Sequence, residues 1–217
     1  MASNPLIVRP GTQIEYGPTE MREMRRCAQD PIYFIRNYVK VQHPTKGIVP
    51  LDLYDFQEDM VRTYKDNTWC ITLTSRQVGK TTTAMAFLLW YACFNDDKTV
   101  LVASNRKSNA LEIIDRIRTA YEYLPAWLKP AVTDDGWNKL SVCFDNGSRI
   151  LSDATTEKTG RGLSISLLMC DEFAFVKKNI QELFWGSILP TLSTGGACII
   201  CSTPVIVTGK QIGRAHV

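Results

Sequence analysis

Histidine is almost missing from these 217 residues, with only His43 and His216 carrying an imidazole. That scarcity removes most of the ligand sets from which proteins build zinc centres. A strong charge of one sign is missing too. The formal net charge is +3 and the pI lies near 8.4, a balance that permits contact with nucleic acid without arguing for it. Long apolar runs are absent: the longest, Ala84–Phe94, is too short to cross a bilayer. Met1–Pro10 lacks the sustained apolar core of a secretory signal. No internal repeat and no low-complexity tract interrupts the chain.

What is present fits an ordinary globular protein. The composition is 45% hydrophobic and 22% charged, and a chain of this length buries roughly 70% of its unfolded surface in one compact domain. Seven cysteines, an odd set scattered through apolar segments, read as buried reduced thiols. Cys198 and Cys201 spell C-x-x-C, but they sit in Ala197–Cys201, which reads as a strand. Residues three apart on a strand point to opposite faces, so the two sulfurs do not converge on a metal.

The patterning places the elements. Residues 1–18 read as an arm, Thr19 as the cap of a helix through Gln29, and Pro31 as the start of another over Ile32–Lys40. Pro44–Leu53 is turn-rich and extended, and a short amphipathic helix follows over Tyr54–Lys65. Trp69–Thr74 alternates as a strand, Ser75–Gly79 is a polar loop, and a helix runs from Lys80 to about Phe94. Thr99–Ala103 is a second strand. Ala110, Ile113, Ile114, Ile117, Tyr121 and Leu124 then mark one buried face of a helix. Leu140–Phe144 and Ser148–Leu151 flank Asn146-Gly147, a hairpin signal in which both turn residues are expected at positive φ. Ser166–Cys170 is a two-sided apolar strand, Lys178–Leu189 a helix, and Ala197–Cys201 the last strand. This alternation predicts an α/β fold, a P-loop NTPase with a mostly parallel central sheet flanked by helices and a β-hairpin insertion.

Two motifs carry chemistry. Gly79-Lys80-Thr81 is the core of a Walker A motif, a triplet that chance supplies in roughly one such chain in ten. Its context narrows that chance, because it follows a strand and opens a helix, where backbone N–H groups and the helix dipole favour phosphate. Gly79 allows close backbone approach, Lys80 reaches the β- and γ-phosphates, and the Thr81 hydroxyl can ligate Mg²⁺. The first glycine of the full motif falls on Thr74 instead. Ninety-one positions after Lys80 (171 minus 80), Leu167-Leu-Met-Cys-Asp171-Glu172 has the Walker B form. Asp171 would bind the Mg²⁺ shell, and Glu172 would orient or deprotonate the attacking water.

Ser75-Arg-Gln-Val-Gly-Lys-Thr81, Leu167–Glu172 and Ser202-Thr-Pro204 together resemble the large terminase subunit of tailed bacteriophages. The likeness runs over roughly residues 30–204 and takes in Tyr54-Asp-Phe-Gln57, Phe144-Asp-Asn-Gly-Ser148 and Arg161-Gly162. A degenerate first glycine beside Ser-Arg-Gln is typical of that family. The resemblance implies an ATPase motor domain over 31–204 that uses ATP and Mg²⁺. Ser75, Arg76, Gln77, Val78 and Thr82 would complete the nucleotide loop. It further implies that Gln57 reads adenine with Phe56 as a stacking neighbour, and that Arg76 acts in cis on the γ-phosphate. Ser202 and Thr203 would couple hydrolysis to DNA movement, while Arg161 would contact phosphate or DNA. The implied partners are double-stranded DNA, portal protein and small terminase subunit, in a homo-oligomeric ring in the host cell cytoplasm and away from membrane. Rival readings are another P-loop DNA translocase or helicase-like ATPase, or a non-catalytic nucleotide-binding assembly module.

Members of that family carry a nuclease domain after the ATPase, and this sequence extends thirteen residues past Pro204 (217 minus 204). Residues 1–30 are expected to form an N-terminal arm and helix, and 205–217 an atypical tail. Gln211–Val217 reads like the translation of a common short-read sequencing adapter, a scar that belongs outside fold reasoning. Sequencing the source DNA across this point is expected to show adapter; native phage sequence continuing into an acid-rich domain would refute that reading.

Overall fold

The computed structural model describes residues 4–204, so the tail expected at 205–217 lies outside them. Two helices open the chain, α1 over Pro18–Gln29 and α2 over Pro31–Tyr38. Gly17, not Thr19, caps α1, because Pro18 at the first helical position needs no N–H partner and arrives with its φ preset. Asp30 ends α1 and caps α2, its carboxylate accepting from the Ile32 and Tyr33 amides at 2.9 and 3.2 Å. The turn-rich stretch that follows contains a small antiparallel hairpin, β1 (Lys40–His43) with β2 (Gly47–Pro50). Next comes α3, Asp55–Asp66.

The main sheet starts with β3 (Trp69–Leu73), followed by α4 (Lys80–Phe94), β4 (Thr99–Ser104) and α5 (Lys107–Glu122). Then come β5 (Val132–Trp137), β6 (Ser141–Phe144), β7 (Arg149–Ala154), β8 (Leu167–Asp171), α6 (Lys178–Leu192) and β9 (Ala197–Ser202). The spatial order is β3-β9-β8-β4-β7-β6-β5. From β3 to β7 every pairing is parallel, and β6 and β5 add an antiparallel margin. The hairpin therefore widens the sheet, since its second strand, β7, pairs with β4. Registers are level at the carboxyl ends, with Leu73 opposite Ser202, Asp171 opposite Cys201, and Ser104 opposite Asp171.

Strand alternation divides the core between two faces. Val100 and Val102 of β4 pack with Ile113, Ile114 and Ile117 of α5 and with the buried side of α4. Leu101 and Ala103 turn the other way, to Phe184, Ile188 and Leu192 of α6. Cys201 belongs to the first cluster and Cys198 to the second, so the C-x-x-C pair straddles the sheet as the strand period requires. Residues from the amino-terminal segment share this core. Ile7 is buried, the Val132 amide donates to the Val8 carbonyl at 2.8 Å, and Lys129 Nζ donates to Leu6 O at 2.8 Å.

One expectation is corrected at the β6–β7 turn. Gly147 has φ +79°, but Asn146 does not adopt positive φ. The turn is four residues long, and Asn146 is committed to tertiary bonds. Its Nδ2 donates to Ala92 O at 3.0 Å, tying the turn to the end of α4, and its Oδ1 accepts from the Ser148 amide at 3.0 Å.

Phe184 is fully buried on the α6 face. Phe184→Ala is expected to lower unfolding free energy by about 3–5 kcal/mol, measured by urea denaturation.

Candidate active site

The candidate site forms where parallel strands end, the edge at which open α/β sheets receive ligands. The loop between β3 and α4 turns through two left-handed residues, Gln77 at φ +64° and Gly79 at φ +79°. Gly79 is required on two counts. Its φ disfavours L side chains, and a Cβ there would stand 2.5 Å from Gln57 Nε2. Gln57 is buried, its Nε2 donating to Val78 O at 3.0 Å and its Oε1 accepting from the Tyr54 amide at 3.0 Å. It thus braces the loop from behind. The first turn of α4 carries no acidic residue and no side-chain cap, which leaves its amino end electropositive.

Lys80 is the first residue of α4 and is buried. Its ammonium donates to Glu172 Oε1 at 2.7 Å and to Thr203 Oγ1 at 2.8 Å, and Thr203 Oγ1 donates to the same carboxylate oxygen at 3.3 Å. The two side chains of the ion pair are 7% and 22% exposed, so solvent screening is weak compared with a surface pair. Beside it, Thr81 Oγ1 donates to Asp171 Oδ1 at 3.0 Å, and Ser104 Oγ lies 3.5 Å from Asp171 Oδ2. Burial pushes the Asp171 carboxyl above its ordinary range, partly offset by the Thr81 hydroxyl.

Glu172 leaves β8 in the left-handed region, with φ +51° and ψ +41°. A non-glycine residue there costs of order 1–2 kcal/mol, so the surroundings must hold it. They do so from several sides. The Phe175 amide donates to Glu172 O at 3.0 Å, Lys80 grips the carboxylate, and the Ala174 amide donates to Ser202 Oγ at 3.2 Å. Among the described residues, Glu172 Oε2 is buried and has no hydrogen-bond partner.

A cleft of about 610 Å³ opens over this group. Arg76, Gln77, Gly79, Lys80, Thr81, Thr82 and Glu172 line it, joined by Asn105, Arg106, Arg116 and Phe175. Ser75 and Val78 belong to the loop but do not line the cleft, and neither does Phe56, which is exposed and stacks on Tyr54 at 5.8 Å. Arg76 lies 5.8 Å above the Phe175 ring. Arg161 is outside the cleft lining, its Nε donating to Ser187 Oγ of α6 at 3.1 Å. The motifs gave no sign of Ser104, Asn105, Arg106, Arg116 or Phe175. The signal available for the first three was their place at the carboxyl end of a strand.

The sequence model described as terminase large subunit, T4likevirus-type, N-terminal, matches residues 71–198, more than half of the chain. This protein belongs to the large terminase family. Solved structures share the fold. The bacteriophage HK97 large terminase aligns with a TM-score of 0.63 at 18% identity, over 81% of this chain and 37% of its own. The Thermus phage P74-26 large terminase ATPase domain aligns at 0.56 and 20% identity, over 72% of this chain and 67% of its own. A large terminase from a thermophilic bacteriophage, solved in complex with ADP, aligns at 0.51 and 14% identity over 70% of this chain and 38% of its own. This chain therefore spans little more than a third of the HK97 protein. Among the described residues, no helix is long and apolar enough to cross a membrane.

Gly79→Ala is expected to destabilise the domain by about 1–3 kcal/mol through backbone strain and the clash with Gln57. Adding Gln57→Ala should relieve only the steric share. Denaturation midpoints of the single and double variants check this.

Proposed function

We propose that this chain is the ATP-hydrolysing motor domain of a DNA-packaging terminase large subunit. The observation that carries the reading is the meeting of Lys80, Thr81, Asp171, Glu172 and Thr203 within one set of hydrogen bonds at the strand ends. ADP in the thermophilic phage terminase supports a nucleotide as the ligand class.

The residues suit ATP and Mg²⁺. The loop amides and the amino end of α4 would take the β- and γ-phosphates, with Lys80 as their cation and Arg76 facing the γ-phosphate. Thr81 and Asp171 already place a hydroxyl beside a buried carboxylate, the oxygen donor pair that Mg²⁺ uses in P-loop enzymes. When bound, the ion would neutralise charge on the phosphate oxygens. Glu172 is the base: it lines the cleft beside Lys80, where its carboxylate would accept a proton from the attacking water once that ion pair loosens. Lys80 cannot give its full charge to both Glu172 and a phosphate. Its engagement by ATP would loosen the carboxylate for its work as a base and change the bond to Thr203.

In this reading Thr203 and Ser202 carry that change along the end of β9 toward DNA movement, and Gln57 senses the nucleotide through the loop that it braces. Phe56 would contribute a stacking surface and Arg161 a phosphate or DNA contact. Double-stranded DNA, the portal protein, the small subunit and further copies in a ring are the partners proposed, in the host cytoplasm.

Lys80→Ala and Glu172→Gln are each expected to reduce ATP turnover by about 10²- to 10⁴-fold, with circular dichroism confirming the fold. An ATPase rate that survives both changes would overturn the assignment. Nucleotide binding without turnover, even with DNA and partners added, would favour the non-catalytic module.

A further inference from the structure

Arg106 stands in this cleft without an assigned task. It comes from the turn after β4, across Asp171 and Glu172 from the Walker A loop. Strand β4 is buried along its whole length, so the position of its last residue is set by the core. Ser104 lies against Asp171, with its Oγ 3.5 Å from the carboxylate. Asn105 Oδ1 accepts from Asn109 Nδ2 at 3.0 Å, fastening the turn to the first turn of α5. Arg106 follows as the residue preceding α5, and its side chain lines the cleft.

Its electrostatic setting is unfavourable by itself. Arg106 and Lys107 both sit at the amino end of α5, no acidic residue occupies the first helical turn, and no side chain caps the helix. A cation at that end opposes the helix dipole. The other cleft cations have company: Lys80 holds Glu172, Arg116 pairs with Glu112, and Arg76 lies over Phe175. The Arg106 guanidinium has no side-chain partner among the described residues. Four cations thus face the cleft with Glu172 as the one carboxylate among its lining residues, an excess suited to a polyanion.

We infer that Arg106 is a second phosphate-contacting arginine, serving the terminal phosphoryl group and so favouring ATP over ADP. The inference rests on the nucleotide reading above. The terminal phosphate is singled out because the β4–α5 turn abuts Asp171, the Walker B side, while the β-phosphate belongs to the Walker A amides on the far side. A guanidinium can bind phosphate oxygens in bidentate fashion, which a lysine ammonium cannot reproduce.

The test is isothermal titration of the 217-residue protein with ATPγS and with ADP, each with Mg²⁺. Wild type is compared with Arg106→Ala, Arg106→Lys and Lys80→Ala. Arg106→Ala should weaken ATPγS about 10- to 100-fold and ADP by less than about threefold, with Arg106→Lys between the two forms. Circular dichroism and the thermal midpoint should remain those of wild type, because Arg106 is exposed. Unchanged ATPγS affinity in Arg106→Ala, or equal losses for ATPγS and ADP, would overturn the inference. If Lys80→Ala still abolishes binding in that case, the nucleotide site itself stands. If wild type and Lys80→Ala bind ATPγS equally poorly, the nucleotide reading fails, and the role of Arg106 fails with it.

Discussion

The contact on which the site depends is the Lys80 ammonium lodged between the Glu172 carboxylate and the Thr203 hydroxyl. It joins the start of α4, the exit from β8 and the end of β9, three segments far apart in the chain. A buried lysine and a largely buried glutamate so placed would each be costly alone, since an uncompensated charge in such a position loses several kcal/mol of solvation. Together they hold Glu172 in a backbone conformation that it would otherwise avoid. The same contact ties the end of β9 to both other segments: Thr203 is bound to the Lys80 ammonium and to the Glu172 carboxylate.

Much of this was legible in the sequence, and what was not has identifiable causes. Helix α5 carries a helical periodicity that its burial repeats, while α4, β4 and β8 are apolar runs buried along most or all of their length, so these positions read directly. Strand β5 did not read as a strand because Val132-Thr-Asp-Asp-Gly-Trp137 has neither alternation nor β-branched density. It is extended because β6 lies beside it, with a register shift between Val132 and Trp137. Asn146-Gly147 correctly marked a turn, but tertiary bonds from the Asn146 amide to α4 decided its geometry.

The site divides in the same way. Lys80, Thr81, Asp171 and Glu172 announce themselves by residue type and spacing, and the structure brings them together. Gln57 could be associated with the loop by resemblance, yet its hold on Val78 O depends on how α3 packs, which no local pattern encodes. Ser104, Asn105 and Arg106 form no motif. They reach the cleft only because β4 is the neighbour of β8, and strand order is a property of the assembled sheet.

The level registers have a further consequence. Leu73, Ser202, Asp171 and Ser104 end their strands against one another, so the sheet works as a ruler for the groups beyond it. A shift of β8 by one residue would advance Asp171 by about 3.3 Å and turn its side chain to the opposite face. The loops could not correct such an error, because the Walker A loop, Glu172 and Thr203 are all fastened to strand ends. The spacing between Thr81 and Asp171 is therefore metered by apolar residues such as Leu168, Met169 and Val102, none of which takes part in the chemistry.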